Sequence, residues 1–329
     1  MESFDHIQAA TVDEAVLALR EYGDGACLCA GGTDLLGCLK DRLWLEYPEA
    51  VVDLKRVDGL SGVEEHAGGL RVGAMTTLTE VAESERVRAL YPALAEAARR
   101  TASPLLRNMG TLGGNICQQN RCWYYRYPDK LGGRIPCVRK GGSKCLAVPG
   151  DSRYHSIFGA VNKCIAVNPS DTAPALVALD ATVVTSRRRI PAEDFFSAEH
   201  GKQSTVLERD EIVLALELPA HTAATDGATS AFRKVAFRQS IDFALVNAAA
   251  WLRFENGAVA GARVCLNAVY NNPVRAVAAE EALVGRALDE ESAEAAASAA
   301  LAGAKPLLSN YFKVPMAQAT LADCLLDCR

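Results

Sequence analysis

Apolar positions along the first hundred residues change their period several times. Val12, Ala15, Val16 and Leu19 recur at helical spacing behind Thr11, a suitable N-cap, and predict a helix over 12–22. The unbroken apolar run Ala26-Cys27-Leu28-Cys29-Ala30 reads as a buried strand. Gly31-Gly32-Thr33-Asp34 interrupts it, and Leu35, Leu36, Leu39 and Leu43 resume the helical period. Strand, glycine turn and helix therefore follow one another. Val51–Leu54 and Leu70–Ala74 predict two more strands. A helix opened by Thr77 and carried by Leu78, Val81 and Ala82 comes next, then an alanine-rich helix over 92–102.

From Cys122 to about Cys164 neither period persists; glycine, proline and basic residues dominate. An irregular stretch of this length inside a compact domain needs something else to hold it. Regular structure resumes at Asp171, with Ala175–Leu179 and Thr182–Val184, and 211–218 read as a strand closed by Pro219. Residues 220–229, rich in Ala, Thr, Asp and Gly, suit a linker. Val246–Phe254 and Val259–Leu266 flank Asn256-Gly257, a strong hairpin signal. Residues 276–303 predict alanine-rich helix interrupted near Gly285, and 315–327 a last amphipathic helix. The pattern implies an α+β protein with a boundary near 222: residues 1–221, holding the irregular stretch, and a smaller unit over 222–329.

Length agrees, since 329 residues exceed the roughly 100–200 of a single domain. No run approaches the roughly 18 apolar residues of a membrane span. Glu2, Asp5, Asp13, Glu14 and Arg20 leave no apolar signal core near the start, so a cytoplasmic location is expected. A net charge of −5 argues against a nucleic-acid binder. Eleven cysteines are many for a reducing compartment, and Cys117, Cys122, Cys137, Cys145 and Cys164 fall within 48 residues. Such clustering suggests metal ligation or redox chemistry.

Each of the two glycine segments has an ordinary reading as a tight turn. Each also lets backbone approach a ligand, with helix amides ready for phosphate. The first is Gly31–Asp34; the second is Asn108-Met109-Gly110-Thr111-Leu112-Gly113-Gly114-Asn115. Neither is a Walker A loop or the dinucleotide G-x-G-x-x-G pattern. Together they favour a cofactor bearing a diphosphate.

Three segments in register, Ala30-Gly-Gly-Thr-Asp-Leu35, Arg107-Asn-x-Gly-Thr-Leu-Gly-Gly-Asn115 and Ser170-Asp-x-Ala-Pro-Ala, resemble the FAD-binding subunits of the molybdenum hydroxylases, the xanthine dehydrogenase and carbon monoxide dehydrogenase family. The resemblance covers nearly the whole chain outside the cysteine-rich stretch. It implies a two-part FAD-binding domain like that of vanillyl-alcohol oxidase, followed by a smaller α+β domain of the CO dehydrogenase flavoprotein type. It places the FAD diphosphate on the backbone of Ala30, Gly31, Gly32, Thr33, Asp34 and Leu35, with Cys29 adjoining. It also implies contacts from Thr111, Gly114 and Asn115, binding of the ribityl or adenosine portion by Asp171, and Lys234 near the isoalloxazine.

Family members pass quickly from Gly-Gly-Asn to Ser-Asp, whereas here 55 residues separate Asn115 from Asp171. Against the family this is an insertion over 117–168, and it holds Cys122, Cys137, Cys145 and Cys164, spaced C-x14-C-x7-C-x18-C. Four thiolates suit a [4Fe–4S] cluster or a tetrahedral zinc, and the missing C-x2-C knuckles disfavour zinc. The arrangement is similar to the β subunits of 4-hydroxybenzoyl-CoA reductases, which carry a [4Fe–4S] cluster in a loop at this place. There the cysteine corresponding to Cys117 is not a ligand; the long last spacing leaves Cys117 as a substitute for Cys164. Trp123, Tyr124, Tyr125 and Tyr127 are expected around the cluster or at an interface.

No plant-type C-x4-C-x2-C pattern, paired histidines or Ser–His–Asp arrangement is legible, so substrate chemistry belongs elsewhere. The resemblance implies an electron-transfer subunit in a heterohexamer with a molybdopterin-binding large subunit and a [2Fe–2S] small subunit. The resemblance implies a holoenzyme acting on 4-hydroxybenzoyl-CoA, or the same subunit of a related aromatic or heterocycle hydroxylase. A zinc-stapled nucleotide-binding regulator is the alternative from another class. Arg121 to Cys164 hold nine basic and two acidic residues in an otherwise acidic chain. That excess either neutralises a cluster or docks an acidic carrier such as ferredoxin, with Arg139, Lys140 and Lys144 as candidates.

Overall fold

The computed structural model describes residues 1–131, 133–198, 204–220 and 227–329. The α+β class expected from the pattern is the class adopted. The chain opens with β1 (Asp5–Gln8), α1 (Val12–Tyr22), β2 (Ala26–Cys29), α2 (Leu35–Lys40) and β3 (Ala50–Asp53). These strands form a small parallel sheet in the order β1-β3-β2. Thr11 caps α1 by accepting from the Glu14 amide, and Ala15, Ala18 and Leu19 bury its inner face against Val52 and Leu54.

The second layer contains β4 (Val63–His66), β5 (Gly69–Gly73), α3 (Leu78–Glu83), α4 (Glu85–Leu90), α5 (Pro92–Arg99), α6 (Pro104–Arg107) and α7 (Leu112–Cys117). After the insertion come α8 (Thr172–Ala178), β6 (Thr182–Thr185), β7 (Arg189–Pro191), α9 (Ala192–Phe195) and β8 (Val213–Leu218). The strands make an antiparallel sheet in the order β4-β5-β8-β6-β7. Thr77 and Glu80 close α3 with a reciprocal capping box.

The third layer is an antiparallel sheet, β12-β11-β10-β9, of β9 (Ala228–Val235), β10 (Val246–Glu255), β11 (Ala258–Asn267) and β12 (Val274–Arg275). Helices α10 (Val277–Leu283), α11 (Glu290–Ala300) and α12 (Lys313–Leu326) cover it. Asn256 and Gly257 both have positive φ, 52° and 80°, as the two-residue hairpin turn requires. Residues 221–226, most of the expected linker and the boundary at 222, lie outside the described residues. Ala228 and Thr229 belong to β9 rather than to a linker.

Between Gln118 and Asp171 the described residues hold no α-helix, and their regular elements are two single 3₁₀ turns, Asp129–Leu131 and Val138–Lys140. The segment is nevertheless anchored. Arg121 and Val167 pair as a bridge, Ile157 donates to the Val269 carbonyl, and Lys305 donates to the Ile157 carbonyl.

Candidate functional site

The two glycine segments meet. A Cβ on Gly31 would lie 1.8 Å from the Met109 carbonyl oxygen, so glycine there lets the turns touch backbone to backbone. Gly32 has φ +73°, which side-chain-bearing residues adopt rarely. Thr111 caps α7 by accepting from the Gly114 amide at 3.1 Å, and Gly114 is left exposed. Both turns run into short helices, α2 and α7; the first amides of α7 are already engaged, Leu112 by the Thr76 carbonyl, Gly113 by the Ala74 carbonyl and Gly114 by the Thr111 hydroxyl.

These turns line one cavity of about 690 Å³, within the range of small-molecule sites. Its walls include Ala30, Gly31, Gly32, Thr33, Asp34 and Leu35, then Thr111, Gly114 and Asn115, and finally Asp171 and Lys234. The side chain of Cys29 falls on the other side of β2, packed with Leu39 and Val51 and accepting from Lys55 Nζ at 3.8 Å. The alternation of a strand accounts for this, since Ala30 faces the cavity. The close backbone turns and the size of the space fit a dinucleotide cofactor with its diphosphate on the glycines.

A polar row crosses the third sheet at the cavity floor. Lys234 on β9 lies opposite Asn247 on β10, which lies opposite Asn267 on β11. Lys234 Nζ donates to Asp171 Oδ2 at 2.5 Å and to the Arg100 carbonyl at 3.0 Å. Asn247 Nδ2 donates to Asp171 Oδ1 at 2.7 Å, and Asn267 Nδ2 to the Ser170 carbonyl at 2.7 Å. Ser170 and Thr172 in turn donate to Asn115 Oδ1. Lys234 is therefore no solvated strand lysine, since 4% of its side chain is exposed. Burial holds the Asp171 carboxyl above the usual range even with Lys234 beside it.

The cysteines of the insertion gather next to this cavity. Cys122 and Cys137 are buried in one apolar cluster with Cys38, Leu43, Tyr125 and Ala166, and Cys164 packs at its edge. Burial pushes the Cys122 thiol up to about 12, with Cys164 and Cys137 adding to it. Burial also raises the Cys164 thiol, and Cys145 and Cys137 contribute. Cys137 pairs with Lys144 as a bridge, which brings the backbone of Cys145 beside this group, whereas Cys117 opens onto the cavity. His155, fully buried, brings Nε2 to 3.1 Å from Cys122 Sγ. Burial, and the Lys313 ammonium behind it, hold this imidazole down at about 4. Neither His155 nor Cys38 stood out in the sequence; Cys38 carried a signal only in its place one helical turn after Asp34.

The insertion and the first turn are joined by ions. Arg121 Nη2 donates to Asp34 Oδ1 and Arg126 Nη2 to Asp34 Oδ2, each at 2.8 Å. Arg126 Nη1 also lies 2.6 Å from Cys38 Sγ. Two of the candidate docking cations are not surface groups. Arg139 stacks on Tyr125 at 4.2 Å, and Lys140 is buried with Nζ directed to the Tyr127 carbonyl. Lys144 is exposed. Of the aromatic run, Tyr125 is buried among the cysteines, whereas Trp123 and Tyr127 are exposed.

A family model described as the FAD binding domain in molybdopterin dehydrogenase matches residues 2–221, and one described as the CO dehydrogenase flavoprotein C-terminal domain matches 230–326. The chain is 36% identical over 339 residues to the aldehyde oxidoreductase FAD-binding subunit PaoB of Escherichia coli K12, covering 100% of this chain and 99% of that one. It is 29% identical over 308 residues to the carbon monoxide dehydrogenase medium chain of Hydrogenophaga pseudoflava, covering 92% and 88%. The solved structure of that organism's carbon monoxide dehydrogenase, lacking the Mo-pyranopterin moiety, superposes with a TM-score of 0.77 at 29% identity, over 99% of this chain and 97% of that one.

Proposed function

Because the chain belongs to the FAD-binding medium subunits of the molybdenum hydroxylase and CO dehydrogenase family, we propose that it relays electrons inside a larger cytoplasmic oxidoreductase. Its route runs between an external one-electron carrier, a [4Fe–4S] cluster in the insertion, FAD, and the [2Fe–2S] and molybdopterin subunits of the assembly. FAD suits the junction because it exchanges electrons singly or in pairs. Residues 1–221 hold FAD, 117–168 hold the cluster, and 222–329 complete the site from below through Lys234 and Asn247.

The observation that supports the cluster is the gathering of Cys122, Cys137 and Cys164 in one apolar nest, with Cys145 next to the Lys144–Cys137 bridge. Among the described residues no three His, Cys, Asp or Glu side chains converge as a single ion would require. The zinc alternative is disfavoured by the missing C-x2-C knuckles. Cys117, facing the cavity, is a poor substitute for Cys164. Burial and His155 would support such a cluster by excluding water and donating toward Cys122.

The holoenzyme's substrate is set by another subunit. The insertion favours a relative of 4-hydroxybenzoyl-CoA reductase, whereas the full-length likeness to an aldehyde oxidoreductase subunit favours an aldehyde. An acidic carrier such as ferredoxin fits the exposed Lys144 and Lys163 flanking the nest.

Purified protein should be brown, with FAD and about four irons per chain. Serine at Cys122, Cys137, Cys145 or Cys164 should bleach the iron absorbance, and serine at Cys117 or Cys265 should not. Flavin without iron or sulfide in anaerobically prepared protein would overturn the cluster. Turnover of the assembled complex with benzaldehyde and with 4-hydroxybenzoyl-CoA separates the two substrate readings.

A further inference from the structure

Asp34 presents a difficulty for any diphosphate held at the first glycine turn. Its carboxylate belongs to that turn and lines the same cavity. Unopposed, it would repel the phosphates it sits beside. We propose that Arg121 and Arg126, supplied by the cysteine-rich insertion, are positioning residues for FAD that reverse the charge of this turn and make flavin affinity depend on the insertion. The inference rests on placing the diphosphate at the first turn.

The geometry is specific. Each carboxylate oxygen of Asp34 takes a different guanidinium, so one negative charge meets two positive ones and the triad is left with one net positive charge. The group is largely shielded, with 28% of the Asp34 side chain exposed, 27% of Arg121 and 13% of Arg126. Salt screens it less than it would a surface pair. Burial alone would raise the Asp34 carboxyl, but Arg126 and Arg121 outweigh it and hold the group below the usual range, so it is ionised. Arg121 is steadied by the Phe243 ring at 4.3 Å and Arg126 by Cys38. Both arginines flank Cys122 in sequence and line the cavity. They tie the insertion to the first glycine turn through Asp34.

A purely mechanical strap and an electrostatic correction predict different outcomes. If the triad only ties two loops together, removing either partner loosens the turn, and removing both is no better. If its task is to cancel Asp34, the loss caused by removing an arginine is recovered when Asp34 is neutralised as well.

The test uses full-length protein stripped of flavin and titrated with FAD, following flavin fluorescence at low salt. Arg126→Gln should weaken binding about tenfold or more, with the loss shrinking as salt rises. Arg126→Lys should stay near wild type. Asp34→Asn combined with Arg126→Gln, which restores one net positive charge, should bind within about threefold of wild type. Arg121→Gln serves the same series if Arg126→Gln is recovered only as aggregate. The proposal is overturned if Arg126→Gln and Arg121→Gln bind within about twofold of wild type. It is equally overturned if the double variant binds no better than Arg126→Gln. Undiminished flavin in Gly32→Val would strike at the turn assignment itself, and is read separately from the arginine series.

Discussion

Lys234 and Asp171 form the most consequential contact of single residues, because neither has water to fall back on. Breaking a buried pair by removing one partner typically costs about 3–5 kcal/mol, since the survivor stays buried and uncompensated. Lys234→Met should therefore lower the urea midpoint sharply and release FAD, and adding Asp171→Asn should restore part of the stability. A second buried cation, Lys313, gives a pH signature. Its Nζ donates to the carbonyls of His155 and Ala268, and burial pushes its ammonium down to about 7 from an unfolded value near 10.5. Between these values the unfolded chain carries the extra proton, so stability should rise with pH from about 7 to 10.5, by up to about 1.4 kcal/mol per pH unit. Urea titrations at several pH values check this, and Lys313→Met should flatten the rise. At this scale the glycines were legible, because positive φ and backbone contact admit few residue types. The partner of Asp34 was not, because an arginine 87 positions away leaves no local mark.

Among the elements, the insertion shows both what a sequence discloses and what it hides. Loss of period between Cys122 and Cys164 announced an irregular segment, and cysteine spacing announced its staple. Short exposed strands such as β1 and β4 escaped, because Asp5–Gln8 and Val63–His66 lack an apolar face to alternate. Charge was the least reliable guide. A basic run reads as a solvated docking patch, yet Lys140 lies inside the segment with its ammonium 5.7 Å from the centre of the Tyr125 ring. Arg139 covers the other contact to that ring. Lys140→Glu should consequently strip iron and reduce soluble yield, because a carboxylate would be buried toward the Tyr127 carbonyl that the Lys140 ammonium now meets. Lys144→Glu should leave iron and FAD intact and slow reduction by ferredoxin at low salt only. Stopped-flow reduction measured across ionic strength separates the two.

For the whole molecule, the pattern of the sequence suggests two units, but the packing is continuous. Phe232, Ala249 and Cys265 of the third sheet belong to the same core cluster as Leu70, Leu176 and Leu216 of the second layer. Helix α8 lies on β10 and β11 as well as on α5. The polar contacts cross the same seam, because Lys234 and Asn247 satisfy Asp171, and Asn267 satisfies the Ser170 carbonyl. The insertion is held from the far side by Asn310 and Lys313, which donate to carbonyls of His155 and Ser156. A chain ending after residue 220 would lose these donors together, leaving a buried carboxylate unpaired and an apolar sheet face open. Such a truncated chain should be insoluble or bind no FAD, even though it retains both glycine turns and all four nest cysteines. The intact chain should unfold in one transition, with flavin release and loss of far-ultraviolet ellipticity superimposing in urea. Two separated transitions, the first sparing the flavin, would show that the seam is weaker than its hydrogen bonds and shared core imply.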